Sequence, residues 1–365
     1  MNAGTSTVKL SLLGDDDQTL AERELQAPRT EVDARELRAA LEDGMGGADA
    51  VAHRIVHGGE RFREAVRIDP GVVEALESIT ELAPLHQPKS LRALAAVSSL
   101  LPDVPAVACF DTAFHATLDP AAFTYAVPSA WRSRWGVRRY GFHGLSHGWV
   151  AHRVSERFGD LSRIVSCHLG AGASLCAIRD GRSIDTTMGF TPLAGLVMAT
   201  RSGDIDPGML LWLLERDELS EPEVAAALER QSGLLGLTGT ADMRQALARA
   251  QDGERDARLG VDVYLHRLRA GIAAMAAALG GLDALVFTGG VGEHAPAVRA
   301  GAADGLEFLG VALDPGANED ADDDREIGCA GAAVRTLVLH AREDLEMARQ
   351  ARLVVGSQDR PAGSR

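Results

Sequence analysis

Several segments of this 365-residue chain carry residue types that bind and move anionic groups. Two of them match each other. Residues 2–12 (NAGTSTVKLSL) and 168–178 (HLGAGASLCAI) each run from a short loop of Gly with Ser or Thr into an alternating apolar stretch. Glycine lets a backbone approach a ligand closely, and successive N–H groups beside hydroxyls form a concavity suited to phosphate oxygens. Two such loops predict two related halves gripping one polyphosphate. A third loop, Gly289-Gly290-Val291-Gly292-Glu293, follows an apolar run and opens a helical one, as nucleotide sites do. It lacks the Gly-Lys-Ser or Gly-Lys-Thr of a P-loop, and a glycine cluster alone is a weak signal.

Cations and carboxylates stand near these loops. Arg54 lies in an apolar run before a double glycine (HRIVHGGE), where a planar guanidinium either forks a carboxylate or phosphate or makes a surface ion pair. Arg201 sits among turn formers in residues 200–207 (TRSGDIDP), which serve as a turn or as a phosphate clamp. Asp111, followed by Thr112 to His115, closes a strand-like run, the end of a strand at which α/β sites gather. A carboxylate there orients a nucleophile or holds a metal. Residues 138–148 (RRYGFHGLSHG) include a formal G-x-S-x-G around Ser146. A serine-hydrolase elbow needs a buried strand before its serine, and Arg138, Arg139 and Tyr140 stand nearby instead. His147 and His152 lack an adjacent acidic ligand and read as polar residues of a helix start. Taken together, phosphate loops, arginines, a histidine and carboxylates point to phosphoryl transfer.

Such groups need a scaffold, and the chain is long enough for two domains. Apolar runs rich in Val, Ile and Leu alternate with helical patterns, the signature of an α/β protein. Strands are expected over residues 104–110, 164–169, 282–288 and 335–340. A hairpin is expected over 174–187, turned by Asp180-Gly181. Helices are clearest over 221–231, with Ser220 as N-cap, and 256–279. The acidic stretch 319–324 reads as a solvated loop, and the tail after Val355 as frayed. The net charge of −15 argues against nucleic-acid or anionic-membrane surfaces, so a phosphate ligand needs placed arginines. The four cysteines show no CxxC pair, which makes a zinc or disulfide framework improbable. No signal peptide is read at the N-terminus, and no apolar stretch reaches the roughly 20 residues of a membrane span. The cytoplasm is the expected location.

Seven motifs, in order, make the chain resemble the acetokinase family of the actin, hexokinase and sugar-kinase superfamily. They are NAGTSTVKLSL, HRIVHGGE, APLHQP, FDTAFH, RRYGFHGLSH, the run from HLGAGAS to RSGDIDP, and VFTGGVGE. The resemblance implies Mg²⁺-dependent, reversible transfer of the ATP γ-phosphoryl group to acetate, with Mn²⁺ as a possible substitute. By motif position, Asp111, His143 and Arg201 would act on the transferring group. Arg54 would bind the carboxylate, with Val56, Leu85, Phe142 and Pro192 around the acyl methyl. Thr5, Thr7, Lys9, His168, Leu169, Gly170, Ala171 and Gly172 would line the phosphates. Asp242, Met243, Arg244 and the Gly289, Gly290, Val291, Gly292, Glu293 loop would hold the nucleoside. Asn2 and Glu343 would hold the metal. The fold implied is two RNase-H-like domains around a cleft, residues 1–112 with 344–365 and residues 113–343, the second forming a homodimer.

Four departures from the family pattern stand out. The strand before Asn2 is reduced to Met1, which predicts an unpaired sheet neighbour and a start placed too late. The stretch between Leu13 and His53 is short. HLGAG replaces HLGNG, so Ala171 withdraws one polar contact from the phosphates, and His294 stands where Asn is common. Ala171 and the short N-terminus support one alternative, a catalytically impaired nucleotide-binding paralogue, whereas the acyl-pocket residues do not favour the other, a kinase for propionate or another short acid.

Overall fold

The structure is a computed structural model that describes residues 1–356 except 4–6, 27–33, 46, 85, 160, 217–218 and 322. Thr5, Leu85 and nearly all of the tail expected to fray lie outside the described residues. The chain divides into two compact units, one of Met1–Ala116, Phe142–Trp149 and Arg342–Arg365, the other of Thr117–Gly141 and Val150–Ala341.

In the first unit, β1 (Asn2–Ala3) pairs antiparallel with β2 (Thr7–Leu13), Asn2 opposite Lys9, and β2 with β3 (Thr19–Gln26). β4 (Val51–Ile55) runs parallel to β6 (Ala106–Phe110), whose other edge carries β5 (Val66–Arg67). The sheet neighbour expected to be unpaired finds a partner in Met1. The Met1 amino group donates to Ala52 O at 2.7 Å and Met1 O accepts from Arg54 N at 3.0 Å, so residues 1–3 hydrogen-bond to β4 as well as β2. Helix Gln87–Leu100 buries Ala93, Leu94 and Val97, and helix Glu343–Gly356 packs Met347 and Ala351 against Val107 and Cys109. Five-residue runs such as AVACF, nearly all buried, are what a parallel strand covered on both faces requires.

The second unit holds one mixed sheet of β7 (Arg163–Leu169), β8 (Ala173–Arg179), β9 (Arg182–Thr186), β10 (Ala284–Thr288), β11 (Arg325–Glu326) and β12 (Arg335–Val338), in the order β11-β12-β10-β7-β8-β9. β7, β10 and β12 are parallel, while β8 runs antiparallel to β7 and β9 antiparallel to β8. The predicted hairpin turn has positive φ at Asp180 (50°) and Gly181 (75°). β10 is buried at every residue, and helix Arg255–Leu279 covers the sheet with Leu268, Ile272 and Met275. Ser220 and Glu223 form the capping box of helix Glu221–Arg230. The β7–β8 pair (His168 opposite Ser174) and the β1–β2 pair (Asn2 opposite Lys9) are both antiparallel, with registers one residue apart.

One expectation fails within residues 319–324. Asp324 is not solvated: its side chain is only 10% exposed, bonded to Arg153 Nε at 2.8 Å and to the His340 N–H at 2.8 Å. Those contacts draw its pKa below the ordinary carboxylate range against the opposing pull of burial. Charge counting could not reveal a partner on helix Gly144–Phe158.

Candidate active site

In the first unit the functional side chains gather where β4 and β6 end. Asp111 follows the last residue of β6, and its N–H donates to Ile55 O at 3.0 Å, continuing the parallel ladder by one residue. Arg54 points to the same side: Nε donates to Asp111 Oδ1 at 2.9 Å and Nη2 to Oδ2 at 2.7 Å. Nη1 donates to Asn2 Oδ1 at 3.0 Å and lies 3.6 Å from Glu343 Oε2, while Asn2 Nδ2 donates to that oxygen at 3.3 Å. Asp111, Arg54 and Glu343 side chains are 2%, 19% and 16% exposed. The guanidinium fork is thus engaged by Asp111. Burial pushes the Asp111 carboxyl up while Arg54 draws it down; for Arg54 the pull of Asp111 and Glu343 overcomes burial and raises its pKa. Two donors on two oxygens is the geometry of an ionised carboxylate.

Local sequence explains the placement. Gly58 is required because a Cβ there would lie 2.6 Å from Phe62 O, and its N–H donates to Thr112 Oγ1 at 3.0 Å. Glu343 opens helix Glu343–Gly356, whose first turn also carries Asp344 and Glu346, favourable at the positive end of the helix dipole. His143 precedes helix Gly144–Phe158, its carbonyl accepting from His147 N at 2.9 Å. Val56 and Phe142 are buried in this unit, and the Phe142 ring meets His57 edge-on at 5.5 Å. His57 Nδ1 accepts from Gly59 N at 2.9 Å, and burial lowers its pKa to about 4, so it is a neutral packing residue at pH 7.

In the second unit the two remaining glycine loops leave adjacent parallel strands at the same end. His168 of β7 is paired with Thr288 of β10. β7 continues into Gly170-Ala171-Gly172, a tight turn in which Gly170 N donates to Gly172 O at 2.9 Å. β10 continues into helix Gly289–His294, where Gly289 has φ of 77° and a Cβ would lie 2.8 Å from Leu169 O. Glu293 Oε1 accepts from Gly289 N at 2.8 Å and from Ala341 N at 3.0 Å, which makes it a loop clamp. Ala171 is exposed at its turn. Asp242 caps helix Met243–Gln251 and pairs with the exposed Arg244 at 2.9 Å. Arg201 Nη1 donates to Pro192 O at 2.6 Å, and burial lowers its pKa.

Two further predicted residues lie on β2, with Lys9 directly opposite Asn2 in the β1–β2 pair. Lys9 is exposed and sits 3.8 Å from Glu24 across the β2–β3 pair, a surface ion pair, and Thr7 is half-buried at the start of β2. Sequence reasoning missed Arg299, buried in helix Pro296–Ala303. Its Nη1 donates to Gly292 O and Glu293 O at 3.0 and 2.6 Å, and Nε to Asn318 at 2.7 Å, fixing the end of the third glycine loop. An arginine within the apolar run PAVRAGAA was the available signal.

Among the described residues no group of three or more His, Cys, Asp and Glu is arranged to hold a metal. Asn2 Oδ1 and Glu343 Oε2 are hard oxygens of the kind Mg²⁺ takes, and both face Arg54 Nη1, at 3.0 and 3.6 Å. No helix among the described residues is long and apolar enough to cross a membrane.

The sequence model of the acetokinase family matches residues 29–349. The acetate kinase of Leifsonia xyli subsp. xyli is 51% identical over 308 residues, 83% of this chain and 77% of that protein. The crystal structure of Porphyromonas gingivalis acetate kinase superposes with a TM-score of 0.90 at 34% identity, covering 97% of this chain and 98% of the other. A propionate kinase from Francisella tularensis superposes with the same TM-score at 32% identity, over 97% and 98%. The architecture of these neighbours is that of the actin-like ATPases.

Proposed function

Since this chain belongs to the acetokinase family, a group of carboxyl-accepting phosphotransferases, we propose that it catalyses reversible transfer of the γ-phosphoryl group of ATP to acetate, giving acetyl phosphate and ADP. An acetate oxygen attacks the γ-phosphorus, the bond from that phosphorus to the β,γ-bridging oxygen breaks, and the electron pair leaves with ADP. No proton need be removed, because a carboxylic acid with a pKa near 4 is already ionised at neutral pH. Catalysis is therefore positioning and charge stabilisation.

The observation that carries this reading is the part-buried Arg54–Asp111–Asn2–Glu343 network, in the unit that also buries the apolar Val56 and Phe142. Arg54, oriented by Asp111, binds the acetate carboxylate, and the two apolar side chains receive its methyl group. His143 donates a hydrogen bond to the transferring group, and Arg201 neutralises the charge that spreads over its equatorial oxygens. The loops at Gly170–Gly172 and Gly289–Glu293 hold the phosphates and nucleoside, with Asp242 and Arg244. Mg²⁺, held by Asn2 and Glu343 in part through water, would offset the charge of the β- and γ-phosphates. Helix Pro207–Leu214 (PGMLLWLL) exposes Met209, Leu211 and Trp212, which supports a homodimer of this chain. The cytoplasm, where ATP is abundant, is the proposed location.

A pocket separates substrates that differ by one methylene by only about 1–3 kcal/mol, and the equal likeness to a propionate kinase supports propionate as a second acceptor. The test is hydroxamate trapping of acyl phosphate from acetate, propionate and butyrate with ATP and Mg²⁺. Acetate is expected to give the highest kcat/KM and butyrate little product. Absence of acyl phosphate from every acid, with ATP still bound, would refute the kinase reading and point to an impaired paralogue.

A further inference from the structure

The loop that carries His143 is held from two sides by one short segment. After β6 the chain passes through Asp111 and Thr112 into the 3-10 turn Ala113–Thr117. Gly144 N donates to Asp111 O at 2.8 Å, and a Cβ on Gly144 would lie 2.2 Å from that oxygen. On the other side of His143, His115 Nε2 lies 2.9 Å from Phe142 O. A carbonyl oxygen can only accept, so Nε2 must carry a proton. The His115 ring is buried, edge-on to Phe114 and to His147 with centroids 5.8 Å away in each case. Between the two anchored peptides, His143 has φ of 55°. A left-handed backbone is uncommon at a non-glycine residue, although His takes it more readily than most, and here the peptides on both sides are held. The same segment therefore supplies Asp111 to Arg54 and fixes the backbone of His143.

We propose that His115 is a positioning residue for phosphoryl transfer: by donating its Nε2–H to the Phe142 carbonyl it holds the Phe142–His143 peptide, and so keeps His143 in the left-handed conformation from which its imidazole meets the transferring group. The proposal rests on the kinase reading. No bond is made or broken at His115, and its proton stays on Nε2 throughout.

The experiment uses the full chain with His115→Phe, which removes the donor but keeps a ring, and His115→Gln, whose amide nitrogen can reach the same carbonyl. Each is made alone and with His143→Ala, and rates are referred to the folded fraction. His115→Phe is expected to lower kcat by about 10-fold or more with KM for ATP changed less than about 2-fold, His115→Gln to recover most of the loss, and His115→Phe to cost nothing further in the His143→Ala background. Three outcomes overturn the proposal: kcat in His115→Phe within about 2-fold of the parent, equal losses in Phe and Gln variants, or the same loss with and without His143. A second readout is independent of turnover. The His143 ring signals in a proton–nitrogen correlation spectrum should shift in His115→Phe and stay in His115→Gln. Unmoved signals in His115→Phe refute this inference, whereas a parent chain that makes no acyl phosphate refutes the kinase reading.

Discussion

His53 offers a quantitative test of how the interior beside Arg54 is built. Side chains alternate along β4, so while Arg54 joins the network of carboxylates, His53 points the other way and is 1% exposed. Neither of its ring nitrogens has a hydrogen-bond partner among the described residues. Burial, with a smaller contribution from the positive N-terminus, lowers its pKa to about 3. The unfolded chain binds a proton at this histidine near pH 6.5, and the folded chain does not until about pH 3. Stability from this group is therefore complete above pH 6.5 and is lost as the pH falls from there towards 3. At about 1.4 kcal/mol per pH unit, the 2.5 units from 6.5 down to pH 4 amount to roughly 3 kcal/mol. His53→Leu removes the titration and keeps an apolar group of similar bulk. Urea unfolding at pH 7.5 and pH 4 should show the variant losing about 3 kcal/mol less than the parent between the two, because all other groups cancel in the difference. At pH 7.5 it should be no less stable, since an unpartnered polar ring leaves the interior. Equal losses in both proteins would mean that His53 is protonated or solvated inside the fold, and the reasoning would fail.

Two further predictions follow from the network and the thiols. Asp111→Asn places an amide N–H₂ against the Arg54 fork, and breaking this buried pair should cost about 3 kcal/mol of stability or more and lower kcat/KM for acetate by about 100-fold, read by thermal unfolding and hydroxamate trapping; a variant within about threefold of the parent would sink the assigned role. Burial pushes the Cys109 and Cys176 thiols up to about 12 and Cys167 higher still, whereas Cys329 is half-exposed. Iodoacetamide at pH 8 should therefore add one label to the native chain, at Cys329, and four after denaturation, counted by intact mass; any native label on the other three contradicts their burial.

Much of the second unit can be read from residue order because its signals are local. The run ALVFT is apolar at every place a doubly covered strand needs, and Asp180-Gly181 supplies a two-residue turn with positive φ at both positions. Ser220 is legible as an N-cap from its place at the head of the run that begins Glu221-Pro222. Parts of the site that depend on distant partners are not written in this way. A lone arginine in HRIVHGGE gives no hint that its fork will be filled by Asp111, 57 residues on. His143 shows nothing unusual as a letter, because the contacts that flank its left-handed backbone come from Asp111 and His115. Asp324 reads as one acid among several until helix Gly144–Phe158 brings Arg153 to it.

The Asn2–Glu343 hydrogen bond spans 341 positions. Closing a flexible loop costs only about 0.6 kcal/mol more for each doubling of its length, so the separation weakens the finished protein little. Its effect falls on the order of events. A nascent chain can form β4, β6 and the Arg54–Asp111 pair from its first 111 residues. The carboxylate beside Asn2 arrives only when residue 343 has been translated and Met347 and Ala351 have settled on Val107 and Cys109. Partly synthesised chains that lack residue 343 should therefore make no acyl phosphate, and on refolding turnover should return only once helix Glu343–Gly356 has packed on Val107 and Cys109.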